Sequence, residues 1–103
     1  MVIITMEAHA SEHEWETLTR AFKYAMKRRP KALLDSYLLQ DSVDPTLWRV
    51  MSVWESEEAL EAYAASSDII PSAYAFEVLG IAPEASLGRV AAAVVLQTIR
   101  SRS

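Results

Sequence analysis

The sequence predicts an α+β domain with the element order β-α-β-β-α-(α)-β. Three observations lead there. Residues 2–8, 33–41 and 47–54 alternate or run apolar at strand period, and Trp15, Leu18, Phe22 and Met26 recur at helical spacing. Cap and turn residues separate these stretches.

In the first strand Val2, Ile4, Met6 and Ala8 share one face, and Ile3, Thr5, Glu7 and His9 the other. Ser11 is placed to cap the first helix, with Glu12 and Glu14 suited to the positive end of its dipole. Pro30 marks that helix's limit, and the run Lys27-Arg28-Arg29-Pro30-Lys31 reads as a helix C-terminal turn plus linker. The second strand follows at 33–41. Asp41, Asp44 and Pro45 in DSVDPT supply the side-chain bonding and fixed φ of a turn into the third strand, 47–54. Ser56 is placed to cap a helix over 57–65 whose Leu60, Tyr63 and Ala64 point inward. SSDIIPS interrupts the pattern, and a short helix near 73–79 ends at Gly80. IAPEASLG reads as a loop, and the β-branched run 90–99 as the last strand, leaving a polar, flexible tail at 100–103. This order is the split βαβ of ferredoxin-like domains.

Both helices of such a fold cover one face of the sheet, so the other face should be polar if it met water. Here Trp48, Val50 and Trp54 lie on one side of the third strand, and Leu47, Met51 and Val53 on the other. A second copy packed sheet to sheet would cover the surplus apolar face and protect the edges; a monomer's core is the alternative.

At 103 residues, 51% hydrophobic and 23% charged, the chain suits one domain spanning 1–103. A net charge of -4 argues against nucleic acid as a partner. The absence of cysteine excludes disulfides, thiolate nucleophiles and cysteine-ligated metals. With no signal-peptide pattern and no apolar run of about 18 residues, the expected location is the cytoplasm, away from membranes. Two histidines among scattered carboxylates have no metal-binding spacing, so no metal site is expected.

The segment WRVMSVWESEEALEAYAAS joins a strand ending Val-Trp-Glu-Ser to a helix of the Glu-Ala-Leu-Glu-Ala-Tyr type. It resembles the antibiotic biosynthesis monooxygenase (ABM) family, whose members are dimeric α/β barrels. LLQDSVDPTLWRVM is similar to the family's second strand, Asp-Pro turn and third strand, and the likeness extends over about residues 1–99. The family includes cofactor-independent quinone-forming monooxygenases, haem-degrading enzymes and proteins without an assigned role. The haem-degrading branch uses an asparagine, a helix tryptophan and a histidine. This chain has no asparagine, and the other two positions fall on Tyr63 and near Ala73, so that branch is set aside. The cofactor-independent branch implies no metal, flavin or haem, an apolar cavity, a proton acceptor and a donor to the developing oxyanion. Its strand-three tryptophan corresponds to Trp54; the asparagine expected one turn of pleat away is absent, and Val50 occupies the same face.

The candidate catalytic residues are His9, Tyr63 and Tyr74. His9 could act as a base with Glu7 two residues away holding its tautomer, or both could simply sit at a strand end. Tyr63 follows the shared motif and Tyr74 opens the short helix; each could donate to a phenol or quinone oxygen, or to a backbone acceptor. Trp54, Glu7, Phe22 and Tyr37 are candidate substrate-binding residues. Trp54 reads first as a packing residue between strand and helix, and lines a cavity only if a void lies beside it. Arg49 points away from Trp54 and suits a salt bridge at a dimer interface. Two functions remain open: oxygenation of a small aromatic or phenolic substrate, or a non-catalytic homodimer that binds a small apolar molecule or serves a stress or regulatory role.

Overall fold

The computed structural model describes residues 1–66 and 70–94. Its elements are β1 (Val2–His9), α1 (Trp15–Met26), β2 (Leu33–Gln40), β3 (Leu47–Trp54), α2 (Glu57–Ser66), α3 (Pro71–Val78) and β4 (Glu84–Arg89). The strands form one antiparallel sheet in the order β2-β3-β1-β4. This is the α+β, ferredoxin-like arrangement with one extra short helix.

Alternation decides what each strand buries. Val2, Ile4, Met6 and Ala8 of β1 and Trp48, Val50, Ser52 and Trp54 of β3 are buried, each partly covered neighbour facing the other way. Leu18 and Ala21 of α1, Leu60 of α2, and Ala73, Ala75 and Phe76 of α3 complete that core. The helices therefore pack on one face of the sheet. On the opposite face register aligns Tyr37, Met51, Thr5 and Ser86 in one row, and Asp35, Val53, Ile3 and Gly88 in the next. Ile3, Met51 and Val53 are only half-buried there, and Tyr37 is 55% exposed.

Local signals act mostly as their chemistry requires. Ser56 Oγ accepts from the Ala59 amide at 3.0 Å, capping α2, and Gly80 takes φ 72° after α3. Arg29 Nη1 donates to the Met26 carbonyl at 2.7 Å, satisfying an end of α1. Ser11 differs from expectation. Its hydroxyl accepts from the His13 amide at 3.1 Å within a turn, and α1 begins four residues later without a side-chain cap at Glu14.

The last strand also differs. The sheet's fourth strand is Glu84–Arg89, within the stretch expected to be a loop, and residues 90–94 form no strand. Residues 95–99 of the expected strand, the tail at 100–103 and residues 67–69 of SSDIIPS lie outside the described residues. The physical reason is position: β4 is an edge strand, exposed along its whole length, so EASLGR needs no apolar alternation to pair with β1. Backbone pairing from Val2↔Arg89 to Glu7↔Glu84 holds it, and the Val90 amide adds one bond to the Met1 carbonyl at 2.9 Å.

The turn between β2 and β3 is fastened by its acids. Asp41 accepts from the Asp44 amide at 2.8 Å, the Val43 amide at 3.0 Å and Arg49 Nη1 at 2.9 Å. Arg49 Nε also donates to Glu7 Oε2 at 2.8 Å, so the guanidinium is paired within its own chain. The Asp44 amide above all, then Arg49 and the Val43 amide, pull the Asp41 carboxyl down from its ordinary 3.8 to about 2. A carboxyl lowered on folding stabilises the native state fully above its unfolded value and loses that effect as pH falls through the folded one. The urea midpoint of wild type should therefore exceed that of Asp41→Asn at pH 5, and the margin should shrink between about pH 4 and 2. A margin independent of pH would contradict this.

Candidate functional site

A cleft of about 370 Å³ opens between α1 and the β2–β3 side of the sheet. From α1 come Trp15, Thr19, Phe22 and Lys23, whose spacing sets them on adjoining turns of one side of the helix. From β2 come Ser36 to Leu39, and from β3 comes Trp48. The volume suits a small ligand. Trp48 is buried and aimed by its own hydrogen bond, with Nε1 donating to the Ser11 carbonyl at 3.3 Å. The Trp15 ring lies 5.7 Å from it, tilted by 59°, and remains 59% exposed. Ser36 and Ser52 hydroxyls bond to each other at 2.7 Å, which leaves the walls mainly apolar and aromatic.

The residues expected to form a site fall into four places. Phe22 lines this cleft, and Tyr37 borders it along β2 with its ring on the other face of the sheet. Tyr63 and Tyr74 line a separate recess of about 220 Å³ with Tyr24, Ala25, Arg28 and Pro71. There Tyr74 stacks on Tyr24 at 5.5 Å, and Arg28 sits 4.0 Å over the Tyr24 ring. Glu7 and His9 stand on the opposite face of the sheet. Glu7 is paired with Arg49, and His9 Nδ1 meets Thr46 Oγ1 at 3.2 Å with Asp44 at 3.9 Å.

Trp54 lines neither hollow. It is 0% exposed, with Tyr63 tilted against it at 5.8 Å, and Val50 beside it on the same face is also 0% exposed. Its Nε1 is buried without a hydrogen-bond partner among the described residues. No group of three or more metal-ligating side chains converges among the described residues, and no described helix is long and apolar enough to cross a membrane.

Trp15, Trp48 and Lys23 were not singled out as site residues from sequence. A signal existed for the first two: Trp15 leads the apolar stripe of α1, and Trp48 faces the helices. Two large rings meeting at the open end of a helix–sheet seam cannot both be buried.

Residues 1–69 match the family model described as antibiotic biosynthesis monooxygenase. The chain belongs to this family. Among solved structures it is similar to a Deinococcus radiodurans protein named for the ABM family, with TM-score 0.66 and 16% identity over 95% of this chain and 100% of that one. A conserved protein from Methanosarcina mazei Go1 gives TM-score 0.66 and 14% identity over 85% of this chain and 90% of that one. SnoaB, a cofactor-independent oxygenase from Streptomyces nogalater, gives 0.55 and 17% over 97% and 96%. These likenesses are of fold. A comparison with curated proteins finds no match. Within the ABM fold the described site is a cleft beside α1, while the signature tryptophan is sealed.

Proposed function

We propose that this ABM-family chain is a homodimer, one domain over residues 1–103, that holds a small flat aromatic or phenolic molecule in the α1–β2–β3 cleft. The observation that carries this reading is the contrast between an open cleft walled by the rings of Trp15, Phe22 and Trp48 and a Trp54 that is fully enclosed. Aromatic rings favour a flat aromatic guest through offset or edge contacts, beyond the area they bury. The half-buried apolar sheet face supports the dimer, since an antiparallel sheet that met water on one side would carry polar residues there.

Family membership favours a second reading, cofactor-independent monooxygenation of the same guest. An electron-rich phenol bearing a ring CH₂ supplies its own electrons to O₂. One oxygen atom becomes the new carbonyl, and the other leaves as water with the two displaced hydrogens. Tyr63 and Tyr74 would donate to the developing oxyanion of a guest held in their own recess, across α1 from the cleft. No histidine or carboxylate lines either hollow, so the cleft suits binding better than proton abstraction.

Titration with naphthol and anthrone, followed by tryptophan fluorescence and an oxygen electrode, separates the readings. Saturable quenching that Trp15→Ala weakens about tenfold, the size of one lost aromatic contact, is expected without oxygen uptake. Uptake with conversion of the anthrone would establish the second reading instead. Absence of binding by either probe would overturn both.

A further inference from the structure

The cleft does not end at Phe22. Phe22 and Ser36 are shared with a recess of about 290 Å³ that adds Met26, Arg29, Leu34 and Asp35. Arg29 and Leu34 are shared in turn with a more polar hollow lined also by Lys27, Pro30, Lys31 and Leu33. The three adjoin along α1 and the edge strand β2, from an aromatic end at Trp15 and Trp48 to a basic end at Lys27 and Lys31. With α1 twelve residues long, the two ends lie about 18 Å apart at the usual helical rise.

Charge along this groove runs against the rest of the molecule. Lys23, Lys27, Arg29 and Lys31 line it, four of the six lysines and arginines between residues 20 and 31, a stretch without a carboxylate in a chain whose net charge is -4. Lys23, Lys27 and Lys31 have no carboxylate within ion-pairing distance among the described residues; Arg20 pairs with Glu16, and Arg28 and Arg29 donate to the Tyr24 and Met26 carbonyls. Asp35 is the one acid on the walls. Cations at the end of α1 are also favoured by its dipole, which accounts for their presence there but not for the groove that leads to them.

We propose that the ligand of this site is an amphipathic aromatic anion. Its flat ring sits between Trp15, Phe22 and Trp48, and its acid group, carried on a spacer about 10–15 Å long at the helical scale of the groove, reaches Lys27 and Lys31. This rests on the cleft being a ligand site and adds the ligand's charge and length. A neutral ring fills only the aromatic end. A short aromatic acid brings its charge no further than Lys23. A tethered acid satisfies both ends at once.

The test is calorimetric titration of the full chain with naphthyldecanoate, whose chain matches that spacer, and with naphthyldecanol as its neutral match. The acid should bind about tenfold tighter than the alcohol, the increment expected of charge-assisted contacts that are partly desolvated. The double variant Lys27→Gln/Lys31→Gln should erase that margin while leaving the alcohol's affinity within about twofold, and raised salt should act on the acid alone. Equal affinity of acid and alcohol, or a margin that survives the double variant, overturns the proposal while leaving the aromatic cleft intact. Failure of both probes to bind, or binding that Trp15→Ala leaves unchanged, overturns the cleft reading itself and this inference with it.

Discussion

Trp54→Ala should cost about 3–5 kcal/mol of stability, among the largest losses available in this chain. The ring is fully enclosed in the seam between β3 and the helices, against Tyr63 at 5.8 Å and among core residues such as Val50 and Phe76. Truncation leaves a cavity that a packed core of this density fills only partly. A domain of this length shifts its midpoint by roughly 4–8 °C per kcal/mol, so a fall of more than about 10 °C is expected at fixed protein concentration. Trp54→Phe should cost far less, about 1 kcal/mol. It keeps a ring against Tyr63 and removes an indole N–H that is buried without a partner among the described residues, a group whose desolvation weighs against the native state. Both values come from thermal and denaturant unfolding. If Trp54→Ala instead kept its midpoint and lost ligand binding, the ring would be a pocket wall and the packing assignment would fall.

Much of this was legible in the sequence because the relevant signals are local. The bounds of β3 follow from its alternation, the start of α2 from Ser56, and the end of α3 from Gly80, each a short-range backbone requirement. The family signature around Trp54 led to the correct fold. What failed was non-local. Glu84–Arg89 joins the sheet because β1 has an unpaired edge, and nothing within EASLGR announces that. Residues 90–94 open the run expected as the last strand yet form no strand, and Val94 stays 83% exposed. The same limit applied to the site. Period two correctly placed Glu7 and His9 on one face, but which face meets the helices depends on the register with β3. Phe22 reaches the cleft because α1 crosses β2, whereas the alternation of β2 turns the Tyr37 ring to the other face of the sheet.

Met51→Asp should convert the proposed homodimer into monomers. Met51 sits mid-sheet on the face turned from the helices, between Tyr37 of β2 and Thr5 of β1, with Val53 and Ile3 in the next row. In a single chain it is half-exposed, so an aspartate there keeps access to water and the fold should survive with unchanged circular dichroism. In a sheet-to-sheet dimer the same carboxylate would be buried against an apolar copy of itself. An uncompensated charge in such a place costs about 3 kcal/mol or more, equivalent to at least a hundredfold weaker association. Two-fold symmetry places the substitution in both halves of the interface, which doubles the penalty. Light scattering at micromolar concentration should therefore give wild type twice the chain mass of 11.5 kDa, and the variant that mass alone. Arg49→Gln supplies the contrast, because Arg49 is already satisfied by Glu7 and Asp41 of its own chain and would form part of a polar rim rather than the apolar centre. It should weaken the turn between β2 and β3 without separating the copies. A monomeric wild type, or a Met51→Asp variant that stays paired, would leave the apolar sheet face to some other cover.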